Sequence, residues 1–83
     1  MTVYDRSRLY FALGAMRERI ESGEEFRLRQ LWTIGNVEAG WNKFDDATPC
    51  VKESWNLVNE YRKMRQMKSR KSGSSRIWRH VKQ

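Results

Sequence analysis

The sequence has a single cysteine, Cys50, and a single histidine, His80. One thiol excludes an intrachain disulfide, and one thiol with one imidazole falls short of a structural zinc site. One proline and five glycines exclude a collagen-like or Pro/Gly-rich low-complexity chain. No run nears the roughly 20 consecutive apolar residues of a membrane-spanning helix. Met1 to Arg8 is too charged to open a secretory signal, and no apolar stretch with a small-residue cleavage pattern follows it. These shortages lead to the expectation of a cytoplasmic protein that meets no membrane and holds no metal or cofactor.

Acidic residues are missing from one end. Residues 1–60 carry 8 basic and 10 acidic side chains, whereas residues 61–83 carry 9 basic and none acidic, so the net charge of +7 originates in the last quarter of the chain. Such a block attracts a polyanion: nucleic acid, an anionic membrane surface or an acidic protein. A merely solubilising tail needs no apolar side chains, yet Ile77, Trp78 and Val81 interrupt this one.

What remains is enough for one modest hydrophobic core. Apolar residues are 39 % of the 83, and four Trp, three Tyr and three Phe argue against a disordered chain because each ring buries a large apolar surface. Leu9, Leu13, Met16 and Ile20, widened by Phe11 and Ala12, follow one helical face and predict a helix from about Asp5 to Glu21. Asp5 is its expected N-cap, and Gly14 inside it suggests a close helix contact. Ser22-Gly23-Glu24-Glu25 matches a capping box. A brief extended stretch near Glu25–Arg27 is expected to run into a short helix through Leu28, Leu31 and Trp32 that ends near Thr33, with Gly35-Asn36 as a turn. Val37 to Ala47 reads as an irregular connector anchored by Trp41 and Phe44.

Thr48 as cap, Pro49 at the first helical position and Asp45-Asp46 beside the positive helix end announce a third helix reaching about Met67. Val51, Trp55, Val58 and Tyr61, with Leu57 and Met64, are its expected apolar side; Lys52, Asn56, Asn59 and Lys63 share a polar stripe at the same spacing. Beyond it, Ser72-Gly73-Ser74 is a turn signal, and Ile77, Arg79 and Val81 alternate with Trp78 and His80 as in a strand. The end is either a basic β-hairpin or a flexible Ser/Gly linker with a terminal peptide. The chain thus reads as a single domain, with a helical core over 1–67 and a basic wing or tail over 68–83.

This order of elements resembles the winged helix-turn-helix family. The resemblance rests on Gly23-Glu24-Glu25-Phe26-Arg27-Leu28, where a short strand leads into helix two, on Thr48-Pro49 opening helix three, and on Arg70 to Arg79 at the place of the wing. It implies a mainly α, three-helix domain with a small β-hairpin that binds DNA, commonly as a homodimer on paired half-sites. One feature departs from the pattern, since residues 35–47 are longer than the 3–4-residue turn of the motif.

The residues themselves point the same way. Arg70, Lys71, Arg76 and Arg79 on a hairpin suit phosphate contacts or a minor groove. Asn56 and Asn59 can each bond N6 and N7 of an adenine, which makes Lys52, Asn56, Asn59 and Lys63 the expected face toward the major groove of double-stranded DNA. Catalysis has little to build on. His80 stands alone, and Cys50 at a helix start, where the positive helix end lowers a thiol pKa, has no partner base and suits a small core position. The expectation is a non-catalytic transcriptional regulator. Two other readings stay open. Small, basic, tryptophan-rich chains resemble phage and plasmid accessory proteins that bind and inhibit a host protein, for which Trp41 and Trp78 are the candidate exposed anchors. An arginine-rich segment with an aromatic ring also suits unpaired RNA bases.

Overall fold

Asp5 opens the first helix as its sequence suggests, its carboxylate accepting from the Ser7 N–H at 2.8 Å. The computed structural model describes residues 5–82. Three helices, α1 (Arg6–Glu21), α2 (Leu28–Ala39) and α3 (Pro49–Lys63), precede an antiparallel hairpin of β1 (Met67–Ser72) and β2 (Ser75–His80). The molecule is mainly helical with a small β element, in a winged-helix-like arrangement. Its core is one cluster around Ala12, Met16 and Ile20 of α1, Leu31 and Trp32 of α2, Leu57, Val58 and Tyr61 of α3, with Phe26 and Trp78 closing the hairpin side. Among the described residues no helix is long and apolar enough to cross a membrane.

Ser22 does not cap the second helix. It closes α1, where its hydroxyl donates to the Arg19 carbonyl at 2.7 Å, and the Arg19 guanidinium in turn donates to the carbonyls of Glu24 and Glu25. That clasp sends Phe26 into the core in extended form. Phe26 and Trp78 exchange both backbone bonds, at 2.9 and 2.8 Å, so one residue of the expected extended stretch bridges to β2 beside the two-stranded sheet. The true start of α2 follows Arg27, whose N–H is taken by Gln30 Oε1 at 2.8 Å.

The second helix passes straight through Gly35-Asn36, expected as a turn, and ends six residues beyond Thr33 at Ala39, before Gly40 at φ +75°. Packing overrides the turn signal at both positions. A side chain at Gly35 would sit 3.0 Å from Cys50 Sγ and 3.0 Å from Met16 Sδ, so the three helices meet at this glycine. The close contact anticipated at Gly14 is therefore made by Gly35; Gly14 faces open space. Asn36 is buried and stitches the nine-residue connector, residues 40–48, to the core, donating to the Asp45 carbonyl at 2.9 Å and accepting from the Thr48 hydroxyl at 2.5 Å. Thr48 consequently spends its hydroxyl on Asn36 instead of capping α3, and of the two connector rings only Trp41 packs on the core while Phe44 is exposed. Asp45 Oδ1 accepts from the Ala47 N–H in a local turn rather than from the first turn of α3.

The third helix ends at Lys63, not Met67. Arg65 at φ +58° reverses the chain, and the Gln66 N–H returns to the Tyr61 carbonyl at 2.8 Å. Cys50, Ser54, Leu57, Val58 and Tyr61 are the buried side of α3, whereas Trp55 and Met64, expected there, are exposed. The crowded junction at Gly35 admits only small side chains such as Cys50, and Ser54 is buried at little cost because its hydroxyl donates to the Val51 carbonyl at 2.7 Å.

The basic end is a folded hairpin. Gly73, at φ +65°, takes the first position of a two-residue loop between Ser72 and Ser75, the place a type II′ turn gives to glycine. Trp78 anchors it in the core, His80 lies edge-on to Tyr61 with ring centroids 5.2 Å apart, and Arg27 holds the tip through Ser72 and Ser75.

Candidate nucleic-acid interface

Successive residues of an α-helix turn by about 100°, so the buried side of α3 dictates where every other side chain points. Lys52, Asn56, Asn59 and Lys63 lie opposite Cys50, Ser54, Leu57 and Tyr61, and all four are exposed. The structure thus gathers the expected polar stripe on one outward face. Its two flanks differ in charge. On the side of α1 stand Glu53 and Glu60, the latter paired with Arg17 at 2.8 Å; this bond holds the Arg17 guanidinium above its ordinary pKa. On the hairpin side stand Trp55, with its ring centroid 6.3 Å from that of Trp78, and Arg62, 5.6 Å above the Trp78 ring. The two amides make only long contacts within the helix, Asn56 Nδ2 to Glu53 at 3.4 Å and Asn59 Oδ1 from Arg62 at 3.3 Å.

The hairpin register divides the four expected cations. Directly paired residues point to the same face of a two-stranded sheet. Lys71 pairs with Arg76 on the face that also carries Ser69 and the core-anchored Trp78, so both cations lie on the side of α3. Arg76 reaches along that face to Ser69 Oγ at 3.2 Å. Arg70 pairs with Ile77, and Lys68 with Arg79, on the opposite face. There Arg70 is met by Glu25 Oε2 at 2.7 Å. The structure brings Lys71 and Arg76 together with the α3 flank and turns Arg70 and Arg79 away from it.

Between α3, the start of α2 and the hairpin runs an open groove of about 720 Å³, lined by Arg27, Arg29, Trp55, Lys71, Arg76 and Trp78 together with Leu28, Ser74 and Ser75. None of these is acidic. Trp55 is 48 % exposed and forms part of the wall. Arg29 and Trp55 were not among the residues expected at a site. Periodicity places Trp55 in the core because a large ring outweighs a serine, and only the burial of Ser54 in its stead releases it.

Trp78, expected as an exposed anchor, is 4 % exposed and belongs to the core; Trp41 is half-buried. Cys50 is a core residue, and burial pushes its thiol up to about 11, with the nearby Thr48 hydroxyl opposing the rise and the Glu53 charge adding to it. Desolvation sets the direction, opposite to the lowering expected at a helix start. Burial likewise raises the Tyr61 hydroxyl. His80 packs on Tyr61 and lies 3.1 Å from Gln66 Oε1. No protein-family model, curated protein or solved structure matches the chain.

Proposed function

We propose that the protein binds double-stranded DNA without catalysis, as a small transcriptional regulator of winged helix-turn-helix type, with the outward stripe of α3 in the major groove and the hairpin on the neighbouring backbone. The observation that carries this reading is the placement of Lys52, Asn56, Asn59 and Lys63 diametrically opposite the core, with Lys71 and Arg76 on the α3-facing side of the folded hairpin beside them. A helix fits the major groove, where an asparagine amide matches the N6 and N7 pair of adenine. Lys52 and Lys63 at the two ends of the stripe suit the phosphates that border the groove, and Lys71 and Arg76 suit the next stretch of backbone. Glu53 and Glu60 on the other flank repel phosphates, so the charge asymmetry favours one orientation on the duplex.

The test is a salt titration with a mixed-sequence duplex. Binding through phosphates makes log K fall linearly with log salt concentration, and replacing both Lys71 and Arg76 by Ala reduces that slope by roughly two. A slope near zero for the unmodified protein overturns the reading. Support for a protein partner, whether a host protein or a second copy of the chain, comes from elsewhere: Tyr10 and Phe11 stand exposed on α1, while Trp78 is spent in the core.

A further inference from the structure

The groove beside the α3 stripe has a chemistry that an intact duplex does not use. B-form DNA offers a protein its phosphates and the edges of its bases, while the base faces are stacked on one another. Trp55 is half exposed at this groove, touching Trp78 in an edge-to-face contact with the rings at 84°. Around it stand the guanidinium of Arg29 from α2 and the Lys71 and Arg76 pair from the hairpin, with no carboxylate in the lining. An aromatic ring in a cationic channel is how proteins hold a strand whose bases are unstacked, the ring meeting a base face and the cations following the phosphates. Its volume of about 720 Å³ lies inside the range of roughly 300–1,000 Å³ typical of ligand sites.

We infer that this groove receives an unpaired strand of DNA leaving the duplex, with a base stacked on Trp55 and its phosphate on Arg29, next to the Lys71 and Arg76 that hold the duplex backbone, so that the protein prefers a duplex with a single-stranded extension to a blunt one. Charge complementarity and the exposed indole carry the assignment, and the short path from the α3 stripe to Trp55 on the same helix connects the two sites. The inference rests on the duplex-binding reading and extends it.

Fluorescence anisotropy with labelled duplexes tests it, comparing a blunt duplex with the same duplex carrying a short oligothymidine extension. The extended duplex is expected to bind roughly tenfold tighter, within the range that stacking one base on an aromatic side chain supplies. Trp55→Ala removes that preference and leaves blunt-duplex affinity unchanged; Arg29→Ala, at an exposed position on α2, does the same to a smaller degree and serves as the check should Trp55→Ala fail to fold. Equal affinity of the unmodified protein for the two duplexes overturns this inference alone, whereas failure to bind the blunt duplex at low salt overturns the duplex reading. A Trp55→Ala protein that folds and loses affinity for both duplexes alike also overturns the inference, and so does a stronger preference for an oligouridine extension, which assigns the groove to RNA.

Discussion

The Thr48 hydroxyl donates to Asn36 Oδ1 at 2.5 Å, and through that bond the end of α2 sets the start of α3. Asn36 is fully buried and its NH2 group also reaches the Asp45 carbonyl, so one side chain fixes the connector at two points. The orientation of the exposed stripe on α3 depends on that fixation. Asn36→Ala leaves the buried Thr48 hydroxyl and the part-buried Asp45 carbonyl without these hydrogen bonds. The expected loss is about 2–3 kcal/mol, and with roughly 4–8 °C per kcal/mol for a domain of this size the melting temperature falls by about 10 °C or more. Thermal unfolding followed by circular dichroism measures it; a change of a degree or two shows that the connector is held by something else.

Two glycines within helices should respond to alanine with opposite signs. Gly14 on α1 has nothing within 4 Å of where a side chain would start, so Gly14→Ala gains helix propensity without a clash. A gain of up to about 1 kcal/mol follows. At Gly35 the same methyl meets two sulfur atoms at 3.0 Å. Met16 is flexible enough to yield at its tip, but Cys50 Sγ sits one bond from its Cβ and cannot swing away without leaving its place in the core. Overpacking of this kind costs about 1–3 kcal/mol, which outweighs the propensity gain. Urea unfolding of the two variants side by side decides the matter, and a stabilised Gly35→Ala protein would refute the close three-helix junction.

Much of this architecture was legible in the sequence, and the failures at Gly35-Asn36, Trp55 and the hairpin cations come from tertiary contacts. Local chemistry identified α1 with its Asp5 cap, the Pro49 start of α3, the extended residue at Phe26 and the turn at Gly73, because caps and turns depend on neighbours in the chain. The polar stripe was legible because periodicity alone sets which residues share a face, whereas at the basic end a flexible linker stood open beside the hairpin. Gly35-Asn36 was misread because its role lies in tertiary contacts, a glycine admitting Met16 and Cys50 and an asparagine bonding residues nine and twelve positions on. Trp55 was misplaced because apolar size favours the core, while the available space favoured Ser54. The division of the hairpin cations required the strand register, which no composition of Lys and Arg reveals.

The buried thiol makes stability fall in mild alkali. Cys50 ionises near 11 in the folded protein against an ordinary value of 9.0, so the folded state holds its proton more tightly than the unfolded chain. That contribution is fully present below pH 9, declines between 9 and about 11, and is gone above the folded value. Tyr61, also raised by burial, acts with the same sign at the upper end of this window. Urea midpoints measured across the window should therefore drop as pH rises, and Cys50→Ala should flatten the drop. At about pH 8 a thiol-specific reagent should label the native protein far more slowly than the unfolded chain, since only the thiolate reacts and burial withholds it. Rapid labelling of the native protein contradicts the buried placement of Cys50.

The hairpin carries two cations on its α3 side and three on the other, and the smaller set should contribute more to DNA binding. Lys71 and Arg76 share the α3 side, whereas Lys68 and Arg79 share the other and stand with Arg70, whose guanidinium is engaged by Glu25. If the α3 stripe enters the major groove, only the first pair meets the neighbouring phosphates, because contacts to opposite faces of one thin hairpin cannot reach one stretch of backbone. Replacing Lys71 and Arg76 together by Ala is expected to weaken duplex binding by about tenfold or more near physiological salt and to lower the salt slope by roughly two. Replacing Lys68 and Arg79 together removes the same net charge on the opposite face, about 10 Å further from the turn, so it controls for long-range attraction; its expected effect is within about threefold, since charges beyond the contact are screened over roughly 8 Å at that salt. The comparison separates contact from bulk charge: equal losses for the two double variants show that the hairpin acts as a diffuse cation, and a larger loss for Lys68 and Arg79 places the duplex on the face away from α3.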